Sequence, residues 1–538
     1  MLKGFPTRTK AVFVTAAVLL LLLALHLLSS GSEGTGWRLK PGEGRWRSGY
    51  GQGRTDDLLE GHREEVVGSD DARVGDPPPR PQPPPPPPQS EPEPDSELLP
   101  GPVGAEEPIE GAKVAEEMED ADGPLPCQNL PGADDVVVIM RTGATEIQDK
   151  LPVHFKTTFK CYSDLLIFSD YEETFMDHPV HDVLGTVDPR WKESNEDFEL
   201  YLRLQNHGRE SLHADELSGK ASFEGSKSGK NDNAGWRLDK WKFLPMMVET
   251  WRLRPDKKFY IFVESDSYVV WSNLLRWLQK LDPNKAMYAG SEVQIGPDIF
   301  AHGGSVFMMT APAVKVGAEL YQRDQERWNA WTAHHWAGDC VLGKALHDNG
   351  IDLTWAWPMF QGGQPEKMDF SEDKGWGKQL WCAPALSYHH FSPREMKRIW
   401  DFEQSWIQEH MPADSPPDRN ARKSWFWEDM SGVLHHRDVF KTYVWPNLTD
   451  STPEWNNLSP DRVPESEGRS FEECRQLCEA NGECLQFNLG HDGCWISTKD
   501  VMLGQPWGDV RSGWMLERIE AWMGRMDGCM GRDGWSVT

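Results

Sequence analysis

The chain has 538 residues and a formal net charge of −29 at pH 7. This length allows two or three domains, and the strong negative charge disfavours a nucleic-acid partner, whose phosphates would be repelled. The 26 Trp residues lean only weakly toward a carbohydrate ligand, because indoles most often fill protein cores.

The amino-terminal residues predict a membrane anchor. Residues 1–10 are basic, and residues 11–28 form an apolar run in which His26 is the only strongly polar side chain. A run of this length is near the lower limit for crossing a bilayer. A cleaved signal peptide is the alternative, and the residues after the run do not settle the choice. We expect an uncleaved, single-pass type II anchor with a cytoplasmic tail at residues 1–10.

Residues 29–125 predict a disordered stem. They are rich in Pro, Gly, Glu and Asp, and include a run of prolines at 83–88. Too little apolar surface is present to offset the chain entropy, and proline runs favour an extended spacer. The stem would hold a folded domain away from the membrane.

The pattern that begins near Cys127 predicts an α/β fold. A buried strand at 134–140, a helix at 147–160 and a second strand at 165–168 form a βαβ unit, which favours parallel strands covered by helices. The polar residues 193–233 are difficult to assign. Helices are expected at 237–253, 272–281, 312–328 and 339–349, and strands at 259–263, 287–290 and 305–310.

Two carboxylates, Glu264 and Asp266, follow the central strand at 259–263 where it should leave the sheet. Open α/β sheets bind ligands outside the carboxyl ends of their strands. Paired acids at such an edge offer oxygen ligands to a Mg²⁺ or Mn²⁺ ion. The alternative is that both acids only cap the helix that follows Ser272.

The carboxyl-terminal part has features of a secreted protein. Asn447 and Asn457 lie in N-glycosylation tripeptides, and Pro460 makes the second a poorer acceptor. A dense cysteine cluster predicts disulfides that join a helix at 471–480 to a strand at 485–488, with a zinc site as the alternative. The members of this cluster are Cys474, Cys478, Cys484 and Cys494.

Taken together, these motifs resemble glycosyltransferase family 31 over about residues 127–406, most closely its β-1,3-galactosyltransferases of core 1 O-glycans, with the Fringe enzymes as more distant relatives. The motifs that carry the resemblance are the acidic stretch 264–268, the segments 273–278, 281–283 and 288–290, the turn at 302–305, the helix start at 338–343, and the histidine that ends 386–389. The tail at 466–520 resembles a PAN/Apple module, an arrangement similar to fungal members of the family. Such a module would bind carbohydrate or protein, or only cap the catalytic domain.

The resemblance implies a glycosyltransferase A-type sandwich at 126–445, in the lumen of the Golgi or endoplasmic reticulum. The expected activity is inverting transfer of a sugar, with galactose from UDP-galactose as first choice, in β-1,3 linkage to a glycan or glycoprotein acceptor such as O-linked N-acetylgalactosamine. A Fringe-like N-acetylglucosaminyltransferase and a non-catalytic carbohydrate-binding relative are the alternatives. Homodimer formation is an open expectation.

The resemblance also implies roles for individual residues. Asp266 and His389 would bind Mn²⁺, with Glu264 at the outer acidic position and His390 as a competitor for the role of His389. Asp339 would be the general base, its alternative role being a helix N-cap. The UDP-sugar would contact Thr142, Gly143, Lys242, Glu264, Gly303 and Gly304.

Two further expectations concern the tail and the acceptor. The module resemblance implies the disulfides Cys474–Cys494 and Cys478–Cys484. Trp355 and Trp357 are candidates for stacking on an acceptor sugar, although core packing is the competing role. The family more often carries Asp where this chain has Glu264, and the longer side chain bears on the choice of ion.

Overall fold

The computed structural model describes residues 125–218, 233–373, 379–410, 426, 430–529 and 534–535. The predicted cytoplasmic tail, the anchor at 11–28 and all of the stem except residue 125 lie outside this part of the chain. Within it, no helix is both long enough and apolar enough to cross a bilayer.

The described residues form eighteen strands. They are β1 (Val136–Arg141), β2 (Leu165–Ser169), β3 (Glu173–Phe175), β4 (His178–Asp182), β5 (Phe259–Glu264), β6 (Tyr268–Val269), β7 (Tyr288–Gly290), β8 (Glu292–Ile295), β9 (Asp298–Ala301), β10 (Phe307–Thr310), β11 (Leu353–Trp355), β12 (Ser387–Tyr388), β13 (Trp455–Asn456), β14 (Asp461–Arg462), β15 (Gln486–Gly490), β16 (Gly493–Ser497), β17 (Gln505–Pro506) and β18 (Arg511–Trp514).

The α-helices of the same residues are α1 (Ile147–Lys150), α2 (Pro152–Lys156), α3 (Pro189–Ser194), α4 (Glu199–His207), α5 (Ala234–Asp239), α6 (Phe243–Leu253), α7 (Trp271–Leu278), α8 (Ala311–Arg323), α9 (Gln325–Ala333), α10 (Gly338–His347), α11 (Pro393–His410), α12 (His436–Val439), α13 (Phe471–Ala480) and α14 (Leu516–Met526).

An eight-stranded mixed sheet lies at the centre, in the order β11-β7-β10-β5-β1-β2-β4-β3. Strand β1 pairs in parallel with β2 and with β5, which confirms the predicted βαβ unit. Strand β10 runs antiparallel to both β5 and β7. The fold class is therefore mixed α/β, as predicted.

The central strands are buried on both faces, which explains their continuous apolar runs. On one face, Val137 and Tyr260 pack in a cluster with residues of α6 and α8. On the other, Val138 and Ile261 pack in a cluster with residues of α7. Because both faces are covered, side chains that reach solvent from these strands do so at their ends.

Two of the predicted helices are divided. The segment 147–160 forms α1 and α2, because Pro152 has no N–H to continue the first helix and instead begins the second. The segment 237–253 forms α5 and α6, which Lys240–Lys242 separate. The second division places Asp239 and Lys242 on a bend that faces the carboxyl end of β1.

The tail residues form a second layer that packs on the α/β part. Strands β14, β16, β15 and β18 make an antiparallel sheet beside α13, whose bounds match the predicted helix. Trp514 and Trp522 share an apolar cluster with Trp381 and Phe440 of the α/β part. A disulfide between Cys382 and Cys529 joins the two layers covalently.

The structure forms three disulfides: Cys127–Cys161, Cys382–Cys529 and Cys478–Cys484. The last confirms one pair of the tail prediction. The second predicted pair, Cys474–Cys494, is not formed, and both residues are buried thiols. The two thiols are nevertheless in hydrogen-bond contact with each other, and the Cys474 thiol also donates to the Asn488 carbonyl at 3.4 Å.

One glycosylation prediction is also corrected. Asn457 is fully buried, and its amide nitrogen donates to the carbonyls of Phe487 and Gly513 at 3.0 and 3.4 Å. The folded chain therefore does not present Asn457 to solvent. Asn447 is exposed and stays a predicted acceptor.

Candidate functional site

Three parallel strands end at one edge of the sheet and bring together residues that are distant in sequence. Arg141 at the end of β1 lies in register with Glu264 at the end of β5, and Asp170 follows β2. A separate two-stranded sheet completes this edge. Strand β12 pairs with β6 so that Tyr388 lies opposite Tyr268, which places His389 beside Asp266.

His389 lies between the two acids of the predicted metal site. Its Nε2 atom is 3.1 Å from Oδ1 of Asp266 and 3.5 Å from Oε2 of Glu264. His390 joins the same group, because one ligand atom from each of Asp266, His389 and His390 lies within 4.8 Å of the others. Both histidines therefore lie near the predicted metal site, so they are not mutually exclusive candidates for a metal ligand.

The charges at this place favour a cation. Burial by itself would lower the pKa of His389, but the carboxylates of Asp266 and Glu264 raise it to about 9. Burial would raise the pKa of Glu264, but Arg141 and His389 hold it at about 2. The pKa of Asp266 is likewise well below its ordinary range, against the effect of burial, because Lys150 and His389 lie beside it.

Alternating charges extend from this centre along the whole edge. The cations Lys242, Arg141 and Lys150 pair with the carboxylates of Asp170, Asp239, Glu264, Asp266 and Glu146. When His389 is neutral, the five carboxylates exceed the three cations by two negative charges. One divalent cation would balance this excess.

His389 also has a second polar atom that a ligand could contact, the ring nitrogen that does not face the two acids. Its Nδ1 atom is buried and has no hydrogen-bond partner among the described residues. A buried polar atom without a partner is costly, so it is most often explained by a ligand, an ion or a water. Mixed carboxylate and imidazole donors suit Mn²⁺ better than Ca²⁺, which binds almost only oxygen. The residues present therefore fit Mn²⁺.

Gly303 and Gly304 leave the space that His389 and Glu264 occupy. A Cβ atom on Gly304 would lie 2.1 Å from Cε1 of His389, and one on Gly303 would lie 2.9 Å from Oε1 of Glu264. The hydroxyl of Ser267 donates to the Gly304 carbonyl at 2.8 Å and holds this turn against the acidic loop. The predicted contact of both glycines with a nucleotide sugar stays a prediction. Their observed contacts are with the candidate metal ligands.

Asp339 lies on the other side of the same glycine turn. Its Oδ2 atom accepts from the Gly303 N–H and its Oδ1 atom from the Cys340 N–H, both at 2.9 Å. Ala337 occupies the N-cap position of α10, so Asp339 lies in the first turn, where its carboxylate still accepts an N–H of the helix. Burial raises the pKa of Asp339, which makes its carboxylate a better proton acceptor.

Lys242 orders the turn after β1. Its Nζ atom donates to the Thr142 carbonyl at 2.7 Å and pairs with Oδ2 of Asp170 at 2.8 Å. A Cβ atom on Gly143 would lie 3.2 Å from the same Nζ atom, so the turn is closely packed around the ammonium group. The structure thus joins the predicted residues Thr142, Gly143 and Lys242 in one turn, and their contact with uridine stays a prediction.

Three buried residues that hold the acidic loop in place are not among the residues predicted from the sequence. Lys150 pairs with Oδ2 of Asp266 at 3.2 Å, Arg141 pairs with Glu264, and His154 contacts the Ser265 carbonyl through Nε2 at 2.8 Å. A weak signal was present, because Glu146, Lys150 and His154 recur every four residues and so share one side of the helical segment after β1. Polar residues on a helix that joins two buried strands are candidates for contact with the ligand-binding edge where those strands end.

No protein-family model matches the chain, and a search of the curated proteins returns no match. The assignment of a function therefore depends on the geometry of the site and on the sequence motifs.

Proposed function

We propose that the chain is a metal-dependent, inverting glycosyltransferase with a glycosyltransferase A-type catalytic domain. Its donor would be a UDP-sugar, UDP-galactose first, and its product a β-1,3 linkage to a glycan such as O-linked N-acetylgalactosamine. A type II anchor would hold it in the Golgi or endoplasmic reticulum. The observation that supports this proposal most is the position of His389 between Asp266 and Glu264 at the carboxyl edge of a mostly parallel sheet.

Asp266 and His389 would hold Mn²⁺, with Glu264 and His390 near enough to complete the ligand set. When bound, the ion supplies positive charge that stabilises the departing diphosphate. Arg141 and Lys150 hold Glu264 and Asp266 in place from behind, through ion pairs that direct one oxygen of each carboxylate away from His389. The remaining oxygens face the imidazole, where the ion would bind.

Asp339 would act as the general base. It would take the proton of the acceptor hydroxyl while that oxygen forms a bond to the anomeric carbon of the donor sugar. The bond between this carbon and the diphosphate oxygen breaks, and its electron pair leaves with UDP. Attack opposite the leaving group inverts the configuration. The backbone N–H groups of Gly303 and Cys340 donate to the Asp339 carboxylate and hold it in place. Burial makes this carboxylate more basic than that of an ordinary aspartate.

The proposal is tested by donor hydrolysis and UDP binding, each with Mn²⁺ and with EDTA. We expect Mn²⁺-dependent hydrolysis of one member of a set that contains UDP-galactose, UDP-N-acetylglucosamine, UDP-N-acetylgalactosamine and UDP-glucose. A preference for UDP-N-acetylglucosamine would favour the Fringe-like alternative. Absence of both hydrolysis and Mn²⁺-dependent UDP binding would refute the enzyme proposal.

Asp339→Asn separates binding from chemistry. This variant should bind UDP and Mn²⁺ as the wild type does, but lose transfer to an acceptor, because an amide cannot take the proton. Asp401→Asn is the matched control, since Asp401 is 48% exposed and pairs only with Lys397 among the ion pairs described. Normal transfer by Asp339→Asn would exclude the residue as the base.

A further inference from the structure

Trp336 is 58% exposed, the largest exposed fraction among the large hydrophobic side chains of the described residues. It lies between α9 and α10, three positions before Asp339. A large exposed apolar side chain beside a candidate active site has a solvation cost that a ligand would remove.

The indole of Trp336 belongs to an ordered set of rings, which we call the aromatic row: Trp331, His335, Trp336 and Trp236. The rings of Trp236 and Trp336 are 6.3 Å apart between centroids and within 16° of parallel. His335 lies 6.3 Å from Trp336 at 11° and 4.8 Å from Trp331 at 10°. The row therefore runs from α9 to α5 with its rings nearly parallel.

Close backbone packing holds the row in place. A Cβ atom on Gly338 would lie 2.4 Å from the ring of Phe243 and 2.7 Å from the Cα atom of Lys240, so the chain after Trp336 passes directly against the bend between α5 and α6. The Ala337 N–H and the His335 Nδ1 atom are 3.1 Å apart, which closes the turn that carries Trp336. A platform that is already ordered loses little conformational entropy when it binds a ligand.

We propose that the exposed indole face of Trp336 is the acceptor subsite, on which a pyranose ring of the acceptor glycan stacks with its apolar C–H face. The inference rests on the proposed function, because it takes Asp339 as the base that the acceptor hydroxyl must reach. Three residues span at most about 10 Å, so Trp336 lies within the length of a short oligosaccharide of Asp339.

Trp236 and Trp336 have different surroundings, and this difference favours the acceptor over the donor as the ligand of Trp336. At the Trp236 end, a Cβ atom on the neighbouring Gly235 would lie 2.6 Å from Oγ1 of Thr145, in the turn that follows Gly143. That end therefore borders the predicted uridine turn. Trp336, the exposed member of the row, instead precedes the candidate base Asp339 by three positions.

The structure also disfavours Trp357, which was one of the residues predicted from the sequence to stack on an acceptor sugar. Trp357 is only 3% exposed, so almost none of its ring is accessible to a sugar. Trp355 is only partly buried and carries no such relationship to Asp339 in the chain. Trp336 is the better candidate for contact with a sugar.

The test measures sugar contact without requiring turnover. Saturation-transfer NMR on the full chain would use aryl glycosides of N-acetylgalactosamine, galactose, fucose and xylose as probes, with UDP and diamagnetic Mg²⁺ in place of the paramagnetic Mn²⁺. We expect saturation of the ring C–H protons of one glycoside by the wild type, loss of this signal in Trp336→Ala, and its retention in Trp336→Phe, which keeps an aromatic face. Trp507→Ala is the matched control, because Trp507 is 56% exposed and lies in the tail after β17.

Steady-state kinetics then assign the subsite. With the glycoside that binds, Trp336→Ala should raise the acceptor KM about tenfold, the loss that removal of one stacking ring typically causes, and leave donor KM and donor hydrolysis unchanged. A rise in the donor KM instead would overturn the proposal and place uridine on this ring. Equal NMR signals in wild type and Trp336→Ala, or no contact with any probe, would also overturn it.

Failure of the two proposals is distinguishable. A chain that binds neither UDP nor Mn²⁺ refutes the transferase, while the NMR comparison of wild type, Trp336→Ala and Trp507→Ala still decides whether Trp336 contacts sugar. A chain that binds UDP and hydrolyses a UDP-sugar, but whose acceptor KM is insensitive to Trp336→Ala, refutes the subsite alone.

Discussion

The Nε2 atom of His389 lies 3.1 Å from Oδ1 of Asp266, although 123 positions separate the two residues in the chain. The pairing of β12 with β6 creates this contact, and the Phe391 N–H donates to the Asp266 carbonyl at 3.0 Å just beyond it. The site is thus assembled by the backbone of two short strands, and not by a local motif.

The two histidines should contribute unequally to metal binding. We expect His389→Ala to raise the Kd for Mn²⁺ at least about tenfold, and His390→Ala to raise it less, because the Nε2 atom of His389 lies within 3.5 Å of both acids. Electron paramagnetic resonance of free Mn²⁺ measures both values. His347→Ala is the control, since His347 is 65% exposed and lies on α10. Unchanged binding by His389→Ala would remove it from the ligand set.

Gly304→Ala should displace the His389 ring, because a Cβ atom there would lie 2.1 Å from Cε1. We expect Mn²⁺ affinity to fall about as far as in His389→Ala while the far-ultraviolet circular dichroism spectrum is unchanged. Gly482→Ala is the matched control, since a Cβ atom on Gly482 would meet no atom within 4 Å. If Gly304→Ala binds Mn²⁺ with wild-type affinity, the observed position of the His389 ring is not required for metal binding.

Lys150→Met should destabilise the apo protein and increase its response to metal. The substitution leaves Asp266 and Glu146 without their buried cation, and breaking a buried ion pair typically costs about 3–5 kcal/mol. Mn²⁺ would replace part of the lost positive charge, so the rise of Tm on adding Mn²⁺ should be larger than in the wild type.

The control for this prediction is Lys397→Met. Lys397 and Asp401 form a pair whose side chains are 37% and 48% exposed, and such a pair contributes at most about 1 kcal/mol. Thermal unfolding with and without Mn²⁺ compares the variants. A Tm for Lys150→Met no lower than that of Lys397→Met would argue against a buried ion pair at Asp266.

Glu403 should make stability decrease as the pH rises toward neutrality. It is buried on α11, accepts from the hydroxyl of Tyr268 and lies near Tyr162; burial raises its pKa from 4.5 to about 7. Between these two values the folded state holds a proton that the unfolded state has released. The free energy of unfolding should therefore fall by at most about 1.4 kcal/mol per pH unit from pH 4.5 to 7, and this contribution is then constant above pH 7.

Glu403→Gln should remove this contribution, because the amide does not titrate. Urea unfolding at pH 5, 6 and 7 gives the difference between wild type and variant, which should shrink as the pH rises. Glu409→Gln, at an exposed position of the same helix, is the control. A difference that is the same at all three pH values would show that Glu403 does not titrate in this range.

The cysteines of the tail offer a direct comparison between the module resemblance and the structure. Burial raises the pKa of both Cys474 and Cys494, so neither thiol should react with iodoacetamide in the native protein. After unfolding without reductant, peptide mapping should find Cys340, Cys474 and Cys494 alkylated. Alkylation of Cys340 alone would instead establish the Cys474–Cys494 disulfide.

The order of the elements and the position of the acids follow from patterns that are visible in the amino-acid sequence. Continuous apolar runs predicted β1, β2 and β5 because both faces of these strands are covered, and the residues after them were expected at one edge because parallel strands end together. The helix at Phe471–Ala480 was predicted with its bounds, since its capping box is a local signal.

The way in which the acids at this edge are neutralised depends on long-range packing. Lys150, Arg141 and Lys242 neutralise the acids from a helix, a strand end and a bend between helices, and no local pattern links these three positions. It also decided that Asn457 is buried and that Trp336 is exposed, because burial depends on what packs against a residue and not on its type. Contacts between residues more than a hundred positions apart depend on the register between strands. A local sequence pattern does not reveal that register.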